Sequence, residues 1–247
     1  MADDARTQLL DYLSQGDPEA PAHFYDVLPA HVKLARKVVT PALRTRLRIL
    51  ATDAMRAKAR RQIEAAKQRS PLKIQLGSGL FPKEGWVNID LYGPPTDVTW
   101  NLARGIPFDD GTVDAVFHEH LMEHIPLEAG LKVTEECHRV LNPGGVLRMA
   151  VPDAGRYVRS YTDANGDSRA FLERNRPARP TTLLAVQEVF YYTDHQTMYD
   201  FETLALVCRA AGFEQVEEAS YGLSRLDPVP DSPHRERESL YVEAVKS

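Results

Sequence analysis

The sequence has 247 residues, of which 43% are hydrophobic and 26% are charged, as is usual for a globular α/β domain with an extension. No apolar run approaches the roughly 20 residues that a membrane-spanning helix needs, and the acidic N-terminus has no apolar signal core. Cys137 and Cys208 lie in helical patterns without metal-binding neighbours. We therefore expect a cytoplasmic protein with reduced cysteines and no transmembrane segment.

The charge is unevenly distributed along the chain. The net charge is -5, but residues 31–70 carry +10 and residues 71–247 carry -10. From Pro41 to Arg69 the chain has no glycine and no internal proline, and helical periodicity places several leucines and alanines on one face. Residues 1–70 are thus predicted to form a basic helical extension, which ends where Pro71 disfavours helix at Ser70.

After Pro71 the pattern changes to strands that alternate with helices. This alternation predicts a seven-stranded, doubly wound, mostly parallel α/β sheet across residues 71–247. Residues 154–199 do not fit the alternation, and we expect them to form an inserted lid. Helices are predicted at 127–141 and 201–211, and the strands at 72–76, 87–90, 97–102, 114–118, 146–151, 213–219 and 240–245.

The first two predicted strands end in residues suited to a ligand. In a doubly wound sheet, ligands bind outside the carboxyl ends of the strands. The first strand ends in Gly77-Ser78-Gly79, where glycine lets the backbone approach a ligand, and the second ends in Asp90, which suits the two hydroxyls of a ribose. Because so few positions separate Gly77 from Asp90, we expect a shortened or absent helix between these strands. A nicotinamide site is disfavoured, since its third glycine would fall at Pro82.

Several motifs occur in a fixed order within residues 72–247. Taken together they resemble the class I, type 11 methyltransferases that use S-adenosylmethionine, and more closely a bacterial subgroup associated with polysaccharide and glycoconjugate biosynthesis. The resemblance does not cover residues 1–70. The motifs are LGSG and GWVNID (76–79 and 85–90), PFDDGTVD (107–114), EHLMEHI (119–125), RVLNPGG (139–145), the segment 195–213 and SLYVEA (239–244).

The resemblance implies a Rossmann-like methyltransferase fold, with S-adenosylmethionine as cofactor and S-adenosylhomocysteine as product. It further implies a role for each matching position. Gly77, Ser78 and Gly79 would line the methionine part, Asp90 would bind the ribose, Asn101 and Leu102 would lie near the adenine, and His118 would lie near the reactive methyl group.

The resemblance favours O-methylation of a hydroxyl on a sugar, a glycan or a glycosylated small molecule. Such a reaction needs a base, and histidine is the side chain best matched to neutral pH. We expect His195, at the end of the predicted lid, to be that base, with His118 and His120 as alternatives. The lid offers arginines and tyrosines suited to sugars and acidic groups, whereas the acidic body and the lack of an RNA-binding module argue against nucleic acid. These side chains are Arg156, Arg159, Arg169, Arg174, Arg176, Arg179, Tyr157, Tyr161, Tyr191 and Tyr192.

Three alternatives remain at this point. If residues 120–124 were helical, His120 and His124 in the HxxEH pattern could share a catalytic zinc, although the sequence shows no third ligand. A divalent ion held by Glu119, His120 and Asp194 is possible, but no metal is predicted. Finally, the basic segment 41–69 could contact an anionic membrane peripherally, pack on the catalytic domain or form a homodimer. In that case the chain could also be a non-catalytic binding protein that docks through segment 41–69.

Overall fold

A computed structural model describes residues 2–14, 40–93, 95–163, 166–191 and 194–247. Residues 15–39 of the predicted extension, and Tyr192 and Thr193 of the predicted lid, lie outside the described residues. The chain divides into two compact units. Unit 1 comprises residues 1–44 with 154–195, and unit 2 comprises residues 45–153 with 196–247.

The helices and strands follow the predicted alternation. The helices are α1 (Ala2–Ser14), α2 (Pro41–Ala54), α3 (Arg56–Ala66), α4 (Leu127–Val140), α5 (Ala154–Thr162), α6 (Gly166–Asn175), α7 (Thr182–Tyr191) and α8 (Phe201–Ala210). The strands are β1 (Lys73–Leu76), β2 (Val87–Asp90), β3 (Val98–Thr99), β4 (Val113–Glu119), β5 (Leu141–Pro152), β6 (Gln215–Ala219) and β7 (Ser239–Val245).

The seven strands form one sheet in the order β3-β2-β1-β4-β5-β7-β6. Strands β1 to β5 are parallel to one another, and β7 is antiparallel to both β5 and β6. The predicted seven-stranded, mostly parallel sheet is therefore confirmed. Strand β3 is shorter than predicted, because the Asn101 side chain accepts a hydrogen bond from Ala103 N and begins a 3₁₀ turn over Leu102–Arg104.

The large apolar core lies on one face of the sheet. Inward-facing residues of the strands, such as Ile74, Ile89 and Met149, pack there against buried side chains of α3, α4 and α8. Cys137 and Cys208 are buried in this core as unpaired thiols, as expected. The predicted loss of a helix between β1 and β2 is also confirmed, since residues 77–86 form only turns.

The opposite face of the sheet is polar and is covered by loops. Gln75 of β1 bonds the backbone of the 77–86 loop, and Arg148 of β5 donates to two carbonyls of the 220–238 loop. Trp86 and Leu226 from the same two loops pack on Phe117 of β4. Loop backbone supplies the hydrogen-bond partners that polar side chains need when they are buried, which an apolar helix face could not do.

The predicted continuous helix over residues 41–69 is wrong in one respect, because Met55 separates α2 from α3. Helix α3 packs on β3 and buries Ala59, Ile63 and Ala66. The predicted apolar face of α2 remains exposed, with Leu47 at 52% and Leu50 at 66% exposure. No described helix combines the length and apolarity needed to cross a membrane.

Within unit 1, aromatic and ionic contacts organise helices α5 to α7. Tyr157 is fully buried, and its ring lies 4.9 Å from that of Phe171. The guanidinium groups of Arg176 and Arg179 lie 3.6 and 2.7 Å from the carboxylate of Glu188, which is itself 1% exposed. These two arginines of the predicted lid are therefore buried in ion pairs.

Candidate active site

The loop that follows β1 has the backbone geometry predicted for a ligand site. Gly77 and Gly79 have positive φ values of 65° and 55°, which favour glycine. A Cβ at Gly77 would lie 2.8 Å from Leu121 Cδ1, whereas a Cβ at Gly79 would meet nothing within 4 Å. Ser78 is 3% exposed, and its hydroxyl has no hydrogen-bond partner. The loop thus combines open space with a buried polar group that lacks a partner in the protein.

Asp90 lies beside this loop, at the carboxyl end of the adjacent strand β2. Its Oδ2 accepts a hydrogen bond of 2.8 Å from Gly79 N, so the structure brings together the two motifs that the sequence singled out. Its Oδ1 accepts hydrogen bonds from Leu91 N at 2.6 Å and from Arg48 Nη2 at 2.8 Å. Arg48 belongs to α2 and was missed by the sequence reasoning, which recognised a basic helix but not its partner.

Asn101 and Leu102 lie close to Asp90 along the same edge of the sheet. The backbone N–H of Trp100 donates to Asp90 O at 2.9 Å, which fixes the start of this segment against β2. Asn101 uses its side-chain oxygen to cap the 3₁₀ turn, and Leu102 is partly buried. Their predicted place beside the Asp90 end of the site is therefore compatible with the fold.

His118 pairs with Leu76 in the parallel register of β4 and β1, next to the glycine loop. It is fully buried, and neither ring nitrogen has a hydrogen-bond partner. Burial lowers the pKa of His118 to about 4, against the weaker opposing effect of the Glu123 carboxylate, so the ring is neutral at pH 7. A neutral, unpartnered imidazole at this edge can hydrogen-bond to a ligand, but it is a poor proton acceptor.

His120 is held by two neighbours. Its Nε2 lies 2.8 Å from Ser239 Oγ, and its Nδ1 lies 3.2 Å from an oxygen of the fully buried Glu123. His120 has a φ of 50° and lies outside the short 3₁₀ turn Met122–His124. The helical spacing on which the zinc-peptidase alternative depends is therefore absent, and that alternative is wrong.

His195 and Asp194 lie in unit 1. The Nδ1 atom of His195 is 2.6 Å from the carbonyl oxygen of Val189, and the residue is 9% exposed. A backbone carbonyl can only accept, so this contact assigns the proton to Nδ1. In the neutral ring the lone pair then lies on Nε2. Asp194 is exposed and has a φ of 62°.

A second set of residues lies near the end of β4, and of this set the sequence singled out Glu119 alone. Lys83, in the loop after β1, donates to Ser232 Oγ at 2.7 Å, and Ser232 N donates to Glu119 Oε1 at 3.0 Å. Burial lowers the pKa of Lys83, while the carboxylates of Glu119 and Asp231 act in the opposite direction. These contacts tie the 77–86 loop to the 220–238 loop.

The residues at the edge of the sheet fit a ligand that carries both an amino-acid part and a ribose. The unpartnered Ser78 hydroxyl can bond a carboxylate or an ammonium group, and the space beside Gly79 can accept a chain that lies against the backbone. The Asp90 carboxylate suits a vicinal diol. These groups follow β1 and β2, which are adjacent parallel strands.

Comparison with known proteins found a match over part of the chain and distantly similar solved structures. Residues 90–149 match a family model described as a methyltransferase domain. No curated protein sequence matches significantly. Among solved structures, similar chains include a SAM-dependent methyltransferase from Archaeoglobus fulgidus, with 16% identity, a TM-score of 0.42, and coverage of 79% of this chain and 94% of that chain.

Two further solved structures are similar at the same level. One is a chain of the complex between the Haloferax volcanii Trm112 methyltransferase activator and a methyltransferase, with 18% identity, a TM-score of 0.41, and coverage of 79% of this chain and 93% of that chain. The other is an O-methyltransferase family protein from Burkholderia thailandensis, with 14% identity, a TM-score of 0.42, and coverage of 82% and 60%. Likenesses at these identities and TM-scores assign no activity to the chain.

Proposed function

We propose that this chain methylates a hydroxyl group. The premise is the methyltransferase-domain match over residues 90–149, which supports a class I methyl-transferring enzyme with S-adenosylmethionine as its cofactor. The acceptor that we propose is a sugar, a glycan or a glycosylated small molecule. The bound cofactor supplies a methyl group already activated on a sulfonium. The chain's own task is to position the acceptor, exclude water and remove the hydroxyl proton.

The observation that carries the proposal is the hydrogen bond between Gly79 N and Asp90 Oδ2. It connects a glycine loop containing the unpartnered Ser78 hydroxyl to a carboxylate that suits a ribose. We assign the methionine part of the cofactor to Gly77, Ser78 and Gly79, and the ribose to Asp90. Asn101 and Leu102 then lie on the adenine side and His118 near the methyl group, in agreement with the resemblance noted from the sequence.

We assign the general base to His195. Its Nδ1 lies 2.6 Å from the carbonyl oxygen of Val189, and this contact fixes the orientation of the imidazole ring. The other two candidates are less suitable. The pKa of His118 is lowered to about 4, which weakens it as a base at pH 7, and both nitrogens of His120 already contact Ser239 and Glu123.

Exposed aromatic side chains of the proposed lid support a sugar-like acceptor. Tyr161 is 49% exposed and Tyr191 is 75% exposed, and such faces stack on sugar rings. Arg169 forms an exposed ion pair with Glu173, with Nε and Oε1 3.6 Å apart, whereas Arg176 and Arg179 are engaged by the buried Glu188. The resemblance to glycoconjugate enzymes remains the main reason for choosing a glycan over another hydroxyl compound.

The proposed domain organisation has a basic helical extension over 1–70 and a catalytic domain over 71–247 with a lid at 154–199. We propose no nucleic-acid partner and no required metal. Because leucines of α2 are exposed, segment 41–69 has an apolar surface that could serve peripheral membrane contact or a homodimer. The alternative of a non-catalytic binding protein is not favoured. The domain match and the loop after β1, in which the Ser78 hydroxyl has no hydrogen-bond partner, both support a catalytic protein with a cofactor site.

Calorimetric titration of S-adenosylhomocysteine tests the cofactor site. We expect stoichiometric binding to the wild type, and binding at least about tenfold weaker, or ~1.4 kcal/mol, to Asp90→Ala. Asp90→Asn retains an acceptor for Gly79 N and separates loss of charge from loss of the loop contact. Asp109→Ala is the control, because Asp109 has a side chain 74% exposed and pairs with Lys67 elsewhere. Absence of binding to folded wild type would refute the proposal.

The role of His195 is tested separately with His195→Ala. With an acceptor found by screening glycans and glycosylated compounds, we expect turnover to fall about 10²–10⁴-fold while affinity for S-adenosylhomocysteine stays unchanged. Normal turnover by a correctly folded variant would exclude His195 as the base.

A further inference from the structure

Helix α2 contacts the segment that follows β2 through several specific hydrogen bonds. Arg48 Nε donates to Tyr92 O at 2.9 Å, and Arg48 Nη2 donates to Asp90 Oδ1 at 2.8 Å and to Leu91 O at 3.2 Å. Thr52, one turn later and 3% exposed, accepts a hydrogen bond of 2.8 Å from Tyr92 N. The basic extension is therefore bonded to the residue that would hold the ribose.

The acceptor capacity of Asp90 is almost exhausted by these contacts. A carboxylate offers about four lone-pair positions, two on each oxygen. Leu91 N and Arg48 Nη2 use both positions on Oδ1, and Gly79 N uses one on Oδ2. A vicinal diol bound in a bidentate manner needs one acceptor on each oxygen. The carboxylate can meet that need only if one partner of Oδ1 leaves, and the Leu91 amide is part of the same backbone.

We propose that Arg48 and the cofactor ribose compete for Asp90, so that α2 must release this carboxylate whenever the cofactor binds. The inference rests on the proposed cofactor site at Asp90. The guanidinium occupies the carboxylate in the cofactor-free protein, and its release couples occupation of the site to the contacts that Arg48 makes with residues 90–92.

The packing of α2 allows such a release. The Arg48 side chain is 37% exposed, so that solvent can replace its hydrogen bonds. Leu47 and Leu50 of α2 are exposed and add no apolar anchor, so that α2 is held mainly by polar contacts, whereas α3 is held by its buried face on β3. Besides those of Arg48, these polar contacts include Thr52 with Tyr92 N and Asp53 with Arg104. Met55 lies between the two helices in a non-helical conformation, with φ -93° and ψ 19°. Movement of α2 at this residue would leave the packing of α3 intact.

The test compares the affinity of the full-length wild type and three variants for S-adenosylhomocysteine. We expect Arg48→Ala to bind about three- to tenfold more tightly, in the range expected for removal of a partly exposed ion pair and its hydrogen bonds. Arg48→Lys retains the charge but not the forked donors, and should be intermediate. Arg46→Ala removes an exposed arginine from the same helix and should leave the affinity unchanged. Equal or weaker binding by Arg48→Ala would overturn the proposal.

Hydrogen exchange gives a second measurement that does not depend on turnover. Saturation of the wild type with S-adenosylhomocysteine should increase the exchange of amides in residues 45–54, while amides of α3 stay protected. Added protection of residues 45–54 would instead show that α2 closes over the ligand and would contradict competition. If the wild type and Arg48→Ala both fail to bind, the cofactor site itself is refuted; if both bind equally, only the competition is.

Discussion

Replacement of Arg148 by methionine is the most informative test of the polar face of the sheet. Arg148 is completely buried, and all five of its N–H donors are used. They contact both oxygens of Asp231 at 2.6 and 2.5 Å, Glu243 Oε1 at 2.9 Å, and the carbonyls of Leu223 and Ser220 at 3.1 and 3.0 Å.

The expected loss of stability follows from what the substitution leaves behind. In Arg148→Met the carboxylates of Asp231 and Glu243, whose side chains are 2% and 3% exposed, lose the buried cation that they share, and Glu243 keeps only the half-exposed Arg225 at 3.9 Å. Removal of one partner from a buried ion pair costs about 3–5 kcal/mol. For a chain of this size that corresponds to a fall of roughly 10 °C in the unfolding temperature.

Urea unfolding followed by tryptophan fluorescence measures this change directly, because both tryptophans, Trp86 and Trp100, belong to the unit that contains Arg148. Adding Glu243→Gln to Arg148→Met should recover about 1–2 kcal/mol, since it removes one of the two buried negative charges that have lost Arg148. Lys132→Ala, which breaks an exposed ion pair with Glu128 on α4, should leave the midpoint unchanged. A loss below about 1 kcal/mol in Arg148→Met would refute the reasoning.

Three further predictions concern single side chains. Because burial lowers the pKa of His118 to about 4, only the unfolded state takes up this proton as the pH falls below about 6.5. The contribution of His118 to stability should thus be constant above pH 6.5 and fall by about 3 kcal/mol towards pH 4, and His118→Asn should reduce the loss of stability over this pH range in urea titrations. Gly130→Ala should destabilise by about 1 kcal/mol in thermal unfolding, since the new Cβ would lie 2.9 Å from Tyr199 Oη and outweigh the gain in helix propensity. Glu188→Gln should destabilise unit 1 by about 3 kcal/mol, because it leaves Arg176 and Arg179 without their buried carboxylate, and faster proteolysis within residues 154–195 would show it.

The sequence predicted the sheet well because each strand carries its own local pattern. Val87–Asp90 was predicted with its observed bounds, and β1, β4, β6 and β7 were predicted to within two residues of theirs, whereas β5 begins at Leu141, five residues before its predicted start. The glycine loop after β1 and the acid at the end of β2 were also predictable, because parallel strands bring their carboxyl ends to one edge. The missing helix between these strands followed from the number of residues alone.

Helix α2 shows where local pattern is insufficient. The periodicity of Leu47, Leu50 and Ala54 correctly predicted a helix, but the residues that attach α2 to the sheet are Arg48 and Thr52 on another side. The break at Met55 had no glycine or proline to mark it. The exposed leucines show that periodicity identifies a face without identifying what that face contacts.

The polar network of Arg148 and the protonation of His118 were determined by tertiary structure alone. Asp231 and Glu243 lie 83 and 95 residues after Arg148, and no local pattern relates them. His118 is neutral because the fold encloses it completely, a property that no residue type fixes by itself. Secondary structure depends on near neighbours and on periods of two or 3.6 residues, which a sequence displays. Pairing, burial and pKa depend on distances between remote segments, which exist only after the chain has folded.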